Sequence, residues 1–129
     1  MPTFTQSENN SLTFDDSTPA KTVTGWASID AGANAFYAYA NIQLSIAFGG
    51  SADGNATIKV RTSADSGTTD SDQSIDYLSI SYTVSTTKII TIHLKDFNYV
   101  DIGIYNGNTA VEDITISGKW EGMKVTGDS

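Results

Sequence analysis

The thirteen residues Phe36–Phe48 read FYAYANIQLSIAF, and their alternation decides the fold class. Every even position is apolar, whereas the odd positions carry two tyrosines followed by asparagine, glutamine and serine. Successive side chains of a β-strand point to opposite faces, so a period of two places all the apolar residues on one face. The stretch therefore predicts a long strand with one buried face and one wetter face.

The same period recurs in six further stretches, each bounded by turn-forming Gly, Asn, Asp or Ser. They span residues 22–30, 56–62, 75–84, 88–95, 99–105 and 114–121. One-sided alternation is typical of antiparallel sheets that have one wet face. Two such sheets stacked face to face predict an all-β fold, namely an antiparallel β-sandwich of jelly-roll or related Greek-key type with about seven to eight strands.

The first twenty residues differ in kind from the rest of the chain. Phe4, Leu12 and Phe14 are spaced through a background of Ser, Thr, Asn and Asp that ends near Pro19. Two interpretations are open: a disordered terminus, or an extended arm whose apolar residues dock on a neighbouring subunit. The length of 129 residues fits a single domain in addition to this N-terminal segment. We therefore divide the chain into an extended N-terminal arm, 1–20, and a single β-sandwich domain, 21–129.

Composition excludes several function classes. The chain has no cysteine, one histidine and one arginine, and 15 acidic against 7 basic residues give a net charge of −8. The lack of cysteine removes disulfides, thiolate metal sites and cysteine nucleophiles. Nucleic acid is not an expected partner, because phosphate neutralisation needs clustered Lys and Arg. No apolar run approaches the roughly 18 residues of a spanning helix, so we expect no membrane partner. We expect no cofactor.

The most specific local motif is SADSGTT at residues 63–69, followed by Asp70. It resembles the Asp-box of sialidases and many other β-proteins, although Asp70 stands where that motif has an aromatic residue. A single arginine cannot build the arginine cluster of a sialidase site. Asp65 can accept backbone N–H groups across a turn, and Gly67 can supply a positive φ. The motif is therefore interpreted as a hairpin turn between strands.

Four carboxylates gather around this turn: Asp65, Asp70, Asp72 and Asp76. Calcium takes six to eight oxygen ligands and often binds such loops, which makes these residues calcium candidates. The spacing does not match an EF-hand, because the glycine comes too early and no glutamate closes the loop. A solvated acidic loop is the preferred interpretation, and no metal is expected.

No catalytic constellation stands out, so we expect no enzyme. His93 lies on the wetter face of its predicted strand, and no Gly-x-Ser-x-Gly elbow accompanies it. The 15 acidic residues offer many carboxylate pairs for glycoside hydrolysis, but no pair is marked by an apolar setting that would raise one pKa.

Several aromatic residues fall on nominally exposed faces, among them Trp26, Tyr37 and Tyr39. Such residues form the core of a second sheet, a sugar-binding platform or a subunit interface. All three interpretations stay open, and Trp120 is a fourth candidate for a sugar platform. Together with the three apolar residues of the arm, Trp26, Tyr37 and Tyr39 are the candidate partner-binding residues.

Two parts of the chain support a resemblance. The run from Asp96 to Asn108, continued by Ile114 to Trp120, is similar to the final hairpin of small β-sandwich virion proteins of tailed bacteriophages, and Ile58 to Thr68 is similar in style. The resemblance implies a non-enzymatic virion structural protein, either a head decoration (cement) protein or a neck or tail accessory, with no catalytic residue.

The resemblance also implies partners and a location. Other capsid or tail subunits would be the partners, and a homo-oligomer such as a trimer would be the assembled form. The protein would be made in the bacterial host cytoplasm and act in the virion, binding the outside of the particle through sheet edges and the N-terminal arm. The alternative function is a carbohydrate-binding β-sandwich module.

Overall fold

The computed structural model describes residues 2–14, 17–24, 26–63, 74–109 and 113–127. Within these residues the chain forms nine β-strands and no helix, so the predicted all-β class is confirmed. The strands are β1 (Thr3–Leu12), β2 (Ser17–Thr18), β3 (Ala27–Asp30), β4 (Ala35–Phe48), β5 (Ala56–Ser63), β6 (Ile75–Ile80), β7 (Thr87–Phe97), β8 (Tyr99–Asn106) and β9 (Ile114–Thr126). Among the described residues, no helix is long and apolar enough to cross a membrane.

The strands form two sheets. The first sheet has the order β1-β9-β4-β7, and the short β2 pairs with β9 beyond the end of β1. The second sheet has the order β3-β8-β5-β6. Every pairing is antiparallel. With β2 set aside, this is the eight-strand order of a jelly roll, in which two Greek keys wrap into two four-stranded sheets. The predicted antiparallel β-sandwich is confirmed.

The core lies between the two sheets and is built from the apolar positions that the alternation predicts. β4 contributes Ile42, Leu44 and Ile46, all fully buried. The facing sheet contributes Ile58 from β5 and the β8 residues Val100, Ile102 and Ile104. Burial of these branched side chains is the main stabilising term in such a sandwich.

Two predicted strands have different bounds in the structure. The stretch 75–84 is a strand only as far as Ile80, and the predicted buried face beyond it is wrong, because Tyr82 and Val84 are exposed. β6 lies at the margin of its sheet and pairs on one side only, with β5. The stretch 22–30 is interrupted: Val23 bridges Tyr105, and regular pairing with β8 resumes only at Ala27.

The N-terminal segment is extended and pairs with β9 of the same chain along Thr3–Leu12. Leu12 and Phe14 are buried in the core cluster. They pack over Gly118, where an added Cβ would lie 3.1 Å from both the Leu12 Cβ and the Phe14 Cε2 atoms. Exchange of this segment with a neighbouring subunit stays a prediction.

Candidate interaction surface

A bulge in β4 reverses which side chains face the core. The pairing of β4 with β9 passes from Tyr37 to Tyr39 while β9 advances by a single residue, so Ala38 is extra. An extra residue shifts the alternation by one position. Tyr37 is consequently 5% exposed and Phe36 is 42% exposed. The predicted faces of these two residues are therefore wrong, whereas Tyr39 lies on the outer face as its alternation predicts.

A second bulge, in β1, has the same effect. The register with β9 shifts between Ser7 and Asn10, and Asn9 has a φ of 56°. Asparagine accepts the left-handed conformation more readily than most residues, which suits it to a bulge. Leu12 faces inward on one side of the bulge, and Phe4 faces outward on the other side, with 66% of its surface exposed.

Together the two bulges create an apolar cluster on the outer face of the first sheet. Phe4 of β1 and Phe36 of β4 both pair with Val125 of β9, so the three residues form one cross-strand row. Val125 is only 7% exposed although it is not part of the core cluster, and its cross-strand neighbours on the two sides are Phe4 and Phe36. In the adjoining row, Met123 pairs with Tyr39. We call these five residues the aromatic patch.

The aromatic patch has the composition of a contact surface. Aromatic residues and methionine are enriched in protein interfaces. Its three rings and two aliphatic side chains lie on three adjacent strands, and backbone pairing with β9 on both sides of the patch holds these strands together. A surface whose backbone is already ordered loses less conformational entropy when it binds.

Tyr37 belongs to the core instead. Its ring stacks on Phe97 at 5.5 Å between centroids and meets Trp120 edge-on at 5.3 Å. Burial, and secondarily the charge of Asp30, raise the pKa of the Tyr37 phenol above its ordinary value of 10.0. Trp120 is half-buried and packs against the core cluster, and its role in a sugar platform stays a prediction.

Trp26 lies on the outer face of the second sheet, whereas the aromatic patch lies on the first sheet. The Arg61 guanidinium lies 4.0 Å from the centre of its ring, which is a cation–π distance. The ring also lies next to Gly103, where an added Cβ would lie 3.0 Å from the Trp26 Cε3 atom. Trp26 is thus held between two elements of its own chain.

The same arginine holds a buried carboxylate. Arg61 Nε donates to Asp101 Oδ2 at 2.9 Å, and the two side chains are 15% and 4% exposed. Ser28 donates to the other oxygen of Asp101 and also lies 2.9 Å from the Tyr99 hydroxyl oxygen. This polar cluster links β3, β5 and β8 across the outer face and satisfies a charge that would otherwise be costly to bury.

The candidate partner-binding residues thus divide between three places. Phe4 and Tyr39 come together in the aromatic patch, Leu12, Phe14 and Tyr37 are buried in the core, and Trp26 lies on the outer face of the second sheet. Periodicity alone missed three members of the patch, Phe36, Met123 and Val125. No sequence signal marks them, because each of the two bulges depends on which strand pairs alongside.

The calcium candidates are mostly outside the described part of the chain, which leaves out Asp65, Asp70 and Asp72 together with the body of the SADSGTT motif. Asp76 is described, and its carboxylate forms an ion pair with Lys59 at 2.6 Å. Within the described ranges, no group of three or more His, Cys, Asp or Glu side chains could hold a metal ion. Calcium binding at this turn stays a prediction.

His93 lies on the exposed outer face of β7, as predicted. Its Nδ1 atom is 2.6 Å from Asn41 Oδ1, and Asn41 Nδ2 donates to Glu121 at 3.3 Å. The partner of the imidazole is thus an amide oxygen, which cannot act as a nucleophile in the way a serine hydroxyl does. The histidine belongs to a surface hydrogen-bond chain across β7, β4 and β9.

Comparison with solved structures reveals the same fold in viral particles. A chain in the crystal structure of the T13 particle of infectious bursal disease virus, IBDV, is similar over 97% of this chain and 31% of its own length, with a TM-score of 0.56 and 9% sequence identity. The VP2 subviral particle of the same virus contains a chain similar over 97% of this chain and 33% of that one, with a TM-score of 0.46 and 12% identity.

These likenesses concern the fold. The structural neighbours are viral capsid proteins, and this chain spans about a third of their length. No family model matches the sequence, and no curated protein matches it.

Proposed function

We propose that the protein is a non-enzymatic structural component of a virion, most specifically a capsid decoration (cement) protein of a tailed phage. The observation that carries the proposal is the jelly-roll topology, which the chain shares over 97% of its length with a chain of an icosahedral virus particle. Fold alone does not determine function, so the proposal also depends on the surface that the fold presents.

That surface favours assembly over chemistry. The aromatic patch offers apolar area and rigid rings, which suit a lasting contact with another protein. The charge of −8 suits the outer surface of a particle, away from packaged nucleic acid. Other virion subunits are the proposed partners, reached through sheet edges, the N-terminal strand and the aromatic patch. The protein is proposed to be made in the host cytoplasm and to act in the virion.

Binding to particles tests this proposal. Purified protein is mixed with phage particles that lack it, and bound protein is measured after sedimentation of the particles. Saturable binding at symmetry-related positions, seen by cryo-electron microscopy, is expected. The Phe36→Ser variant should bind at least tenfold more weakly, whereas the matched variant Tyr82→Ser, which removes an exposed aromatic residue elsewhere, should bind normally. Absence of saturable binding by the wild-type chain would refute the proposal.

A carbohydrate-binding module is the second candidate, because the aromatic patch exposes phenyl and phenol rings on an open sheet face. Sugars stack on such rings. A glycan array screened with the wild-type chain and with Tyr39→Ala tests this function. Binding of one glycan class that is lost in the variant would favour it, and an array without any signal would eliminate it.

A further inference from the structure

We propose that copies of this chain join head to tail, with the free edge of β1 in one copy pairing with the free edge of β7 in the next. This inference deepens the proposed structural role by naming one partner, a second copy, and the two edges that meet. β1 and β7 are the two ends of the first sheet. Among the residues that the structure describes, each pairs on one side only within the sheet, which leaves the other side available for another strand.

The geometry of the first sheet suits this joint. The sheet contains four principal strands, all antiparallel, so its two edge strands run in opposite directions. A second copy placed beside the first in the same orientation therefore brings β1 antiparallel to β7, and the alternation continues without interruption. The two strands also match in length, with 10 residues in β1 and 11 in β7.

The charges of the two edges are complementary. β1 carries one charged side chain, Glu8, and no lysine or arginine. β7 carries Lys95 on its outer face, followed by Asp96, whereas the ammonium of Lys88 donates to the Ser81 carbonyl. An acidic edge that meets a basic edge is favourable, whereas two β1 edges would repel one another.

The apolar side chains support the same arrangement. Phe4 of β1 lies at the end of the sheet where β7 carries Lys95, since Lys95 pairs with Tyr39. In the joint, the exposed Phe4 ring is placed near the apolar stem of Lys95 in the neighbouring copy. Addition of a strand to a sheet edge is a common mode of protein recognition.

One group partly occupies the β7 edge in the single chain. The Tyr77 hydroxyl of β6 donates to the His93 carbonyl at 3.4 Å, which is long for a hydrogen bond. An incoming strand offers a backbone N–H to the same carbonyl at a shorter distance. Because head-to-tail joints use different surfaces on each copy, they form a closed ring or an open filament.

Charge reversal tests the pairing of the two edges. Sedimentation velocity across a concentration series is expected to show wild-type assemblies larger than a dimer. Glu8→Lys alone and Lys95→Glu alone should each weaken assembly at least tenfold, because each creates a like-charged joint. An equimolar mixture of the two variants should recover assembly, since every joint in an alternating chain is again complementary. Failure of the mixture to recover assembly would overturn the proposal.

Cross-linking provides a second measurement, and the absence of cysteine makes it unambiguous. Ser11→Cys and Thr91→Cys place single thiols in the same row of the outer face on the two edges, and Thr115→Cys on the central strand β9 is the control. A short bismaleimide should join Ser11→Cys to Thr91→Cys at least tenfold faster than either variant to itself or to the control. Equal rates, or faster linking of two Thr91→Cys copies, would overturn the head-to-tail joint.

These results separate the inference from the proposed function. A strictly monomeric wild-type chain that still binds particles refutes the joint and leaves the virion role intact. A chain that assembles through these edges but binds no particle retains the joint and refutes the virion role.

Discussion

At the scale of single residues, the surroundings of Arg61 and Tyr37 decide what these two side chains do. Arg61, the one arginine of the chain, forms an ion pair with the buried Asp101 and a cation–π contact with the ring of Trp26. Tyr37, which alternation places on the wetter face, lies among Phe97 and Trp120. Both residues are therefore expected to affect stability more than binding.

The phenol of Tyr37 makes stability depend on alkaline pH. Its pKa is raised in the folded state, so its stabilising contribution is complete below pH 10.0 and is lost as the pH rises above that value. The free energy of unfolding, measured in denaturant between about pH 8 and about pH 11, should fall more steeply in the wild type than in Tyr37→Phe. Tyr39→Phe is the matched control and should keep the wild-type slope. Parallel slopes in Tyr37→Phe and the wild type would contradict this expectation.

Loss of Arg61 should leave an uncompensated charge in the second sheet. Arg61→Met is expected to lower the free energy of unfolding by about 3 kcal/mol, because the Asp101 carboxylate stays buried. The double variant Arg61→Met/Asp101→Asn should recover part of that loss. Denaturant unfolding of Arg61→Met, of Asp101→Asn and of the double variant gives the coupling energy between the two side chains. Strict additivity of the two single effects would show that the pair is not coupled.

At the scale of elements, two bulges on neighbouring strands create the aromatic patch. The bulge at Ala38 in β4 and the one before Asn10 in β1 both shift the side-chain alternation by one position. Asp96 in β7 has a φ of 58° beside the first bulge, so the irregularity extends across the sheet. Bulges of this kind re-aim side chains at the ends of sheets.

Alanine substitutions of Tyr37 and Phe36, which the bulge in β4 turns to opposite faces, should differ sharply in their effect on the free energy of unfolding. Tyr37→Ala removes a buried ring and is expected to cost about 3 to 4 kcal/mol of unfolding free energy. Phe36→Ala removes an exposed ring and should cost about 1 kcal/mol or less. Thermal and denaturant unfolding of both variants measures the difference. A larger loss for Phe36→Ala would mean that the strand keeps its simple alternation.

At the scale of the whole molecule, the N-terminal strand is a structural part of the sandwich. β1 covers one side of β9, and the segment after it places Leu12 and Phe14 over Gly118. The same strand carries the acidic edge that is proposed to meet β7 of another copy. The N-terminal segment therefore has two roles. Its inner side chains stabilise the folded chain, and its outer edge is left for a partner.

Truncation tests the role of the N-terminal segment in stability. Removal of residues 1–14 should lower the free energy of unfolding by about 4 kcal/mol or more, because two buried side chains and the partner of β9 are lost. Phe4→Ser should change it by about 0.5 kcal/mol. Circular dichroism during thermal unfolding measures both. A truncated chain as stable as the wild type would show that the first fourteen residues are a detachable arm.

The fold class could be read from the amino-acid sequence, because a period of two is a local property and β4 keeps it over residues 40–48. Alternation over Phe36–Phe48 correctly assigned Ile42, Leu44 and Ile46 to the interior. It also placed His93 on the exposed face. The absence of cysteine and the acidic charge narrowed the range of functions, since both are properties of composition alone.

Which side chains form the outer surface depends on how distant strands pair in the folded chain. A bulge requires two residues of one strand to face one residue of its neighbour, so its position depends on strand pairs that are distant in sequence. Phe4, Phe36 and Val125 come from three such strands and meet only through their register with β9. The strand period is local and could be read directly, whereas the aromatic patch depends on long-range pairing and could not.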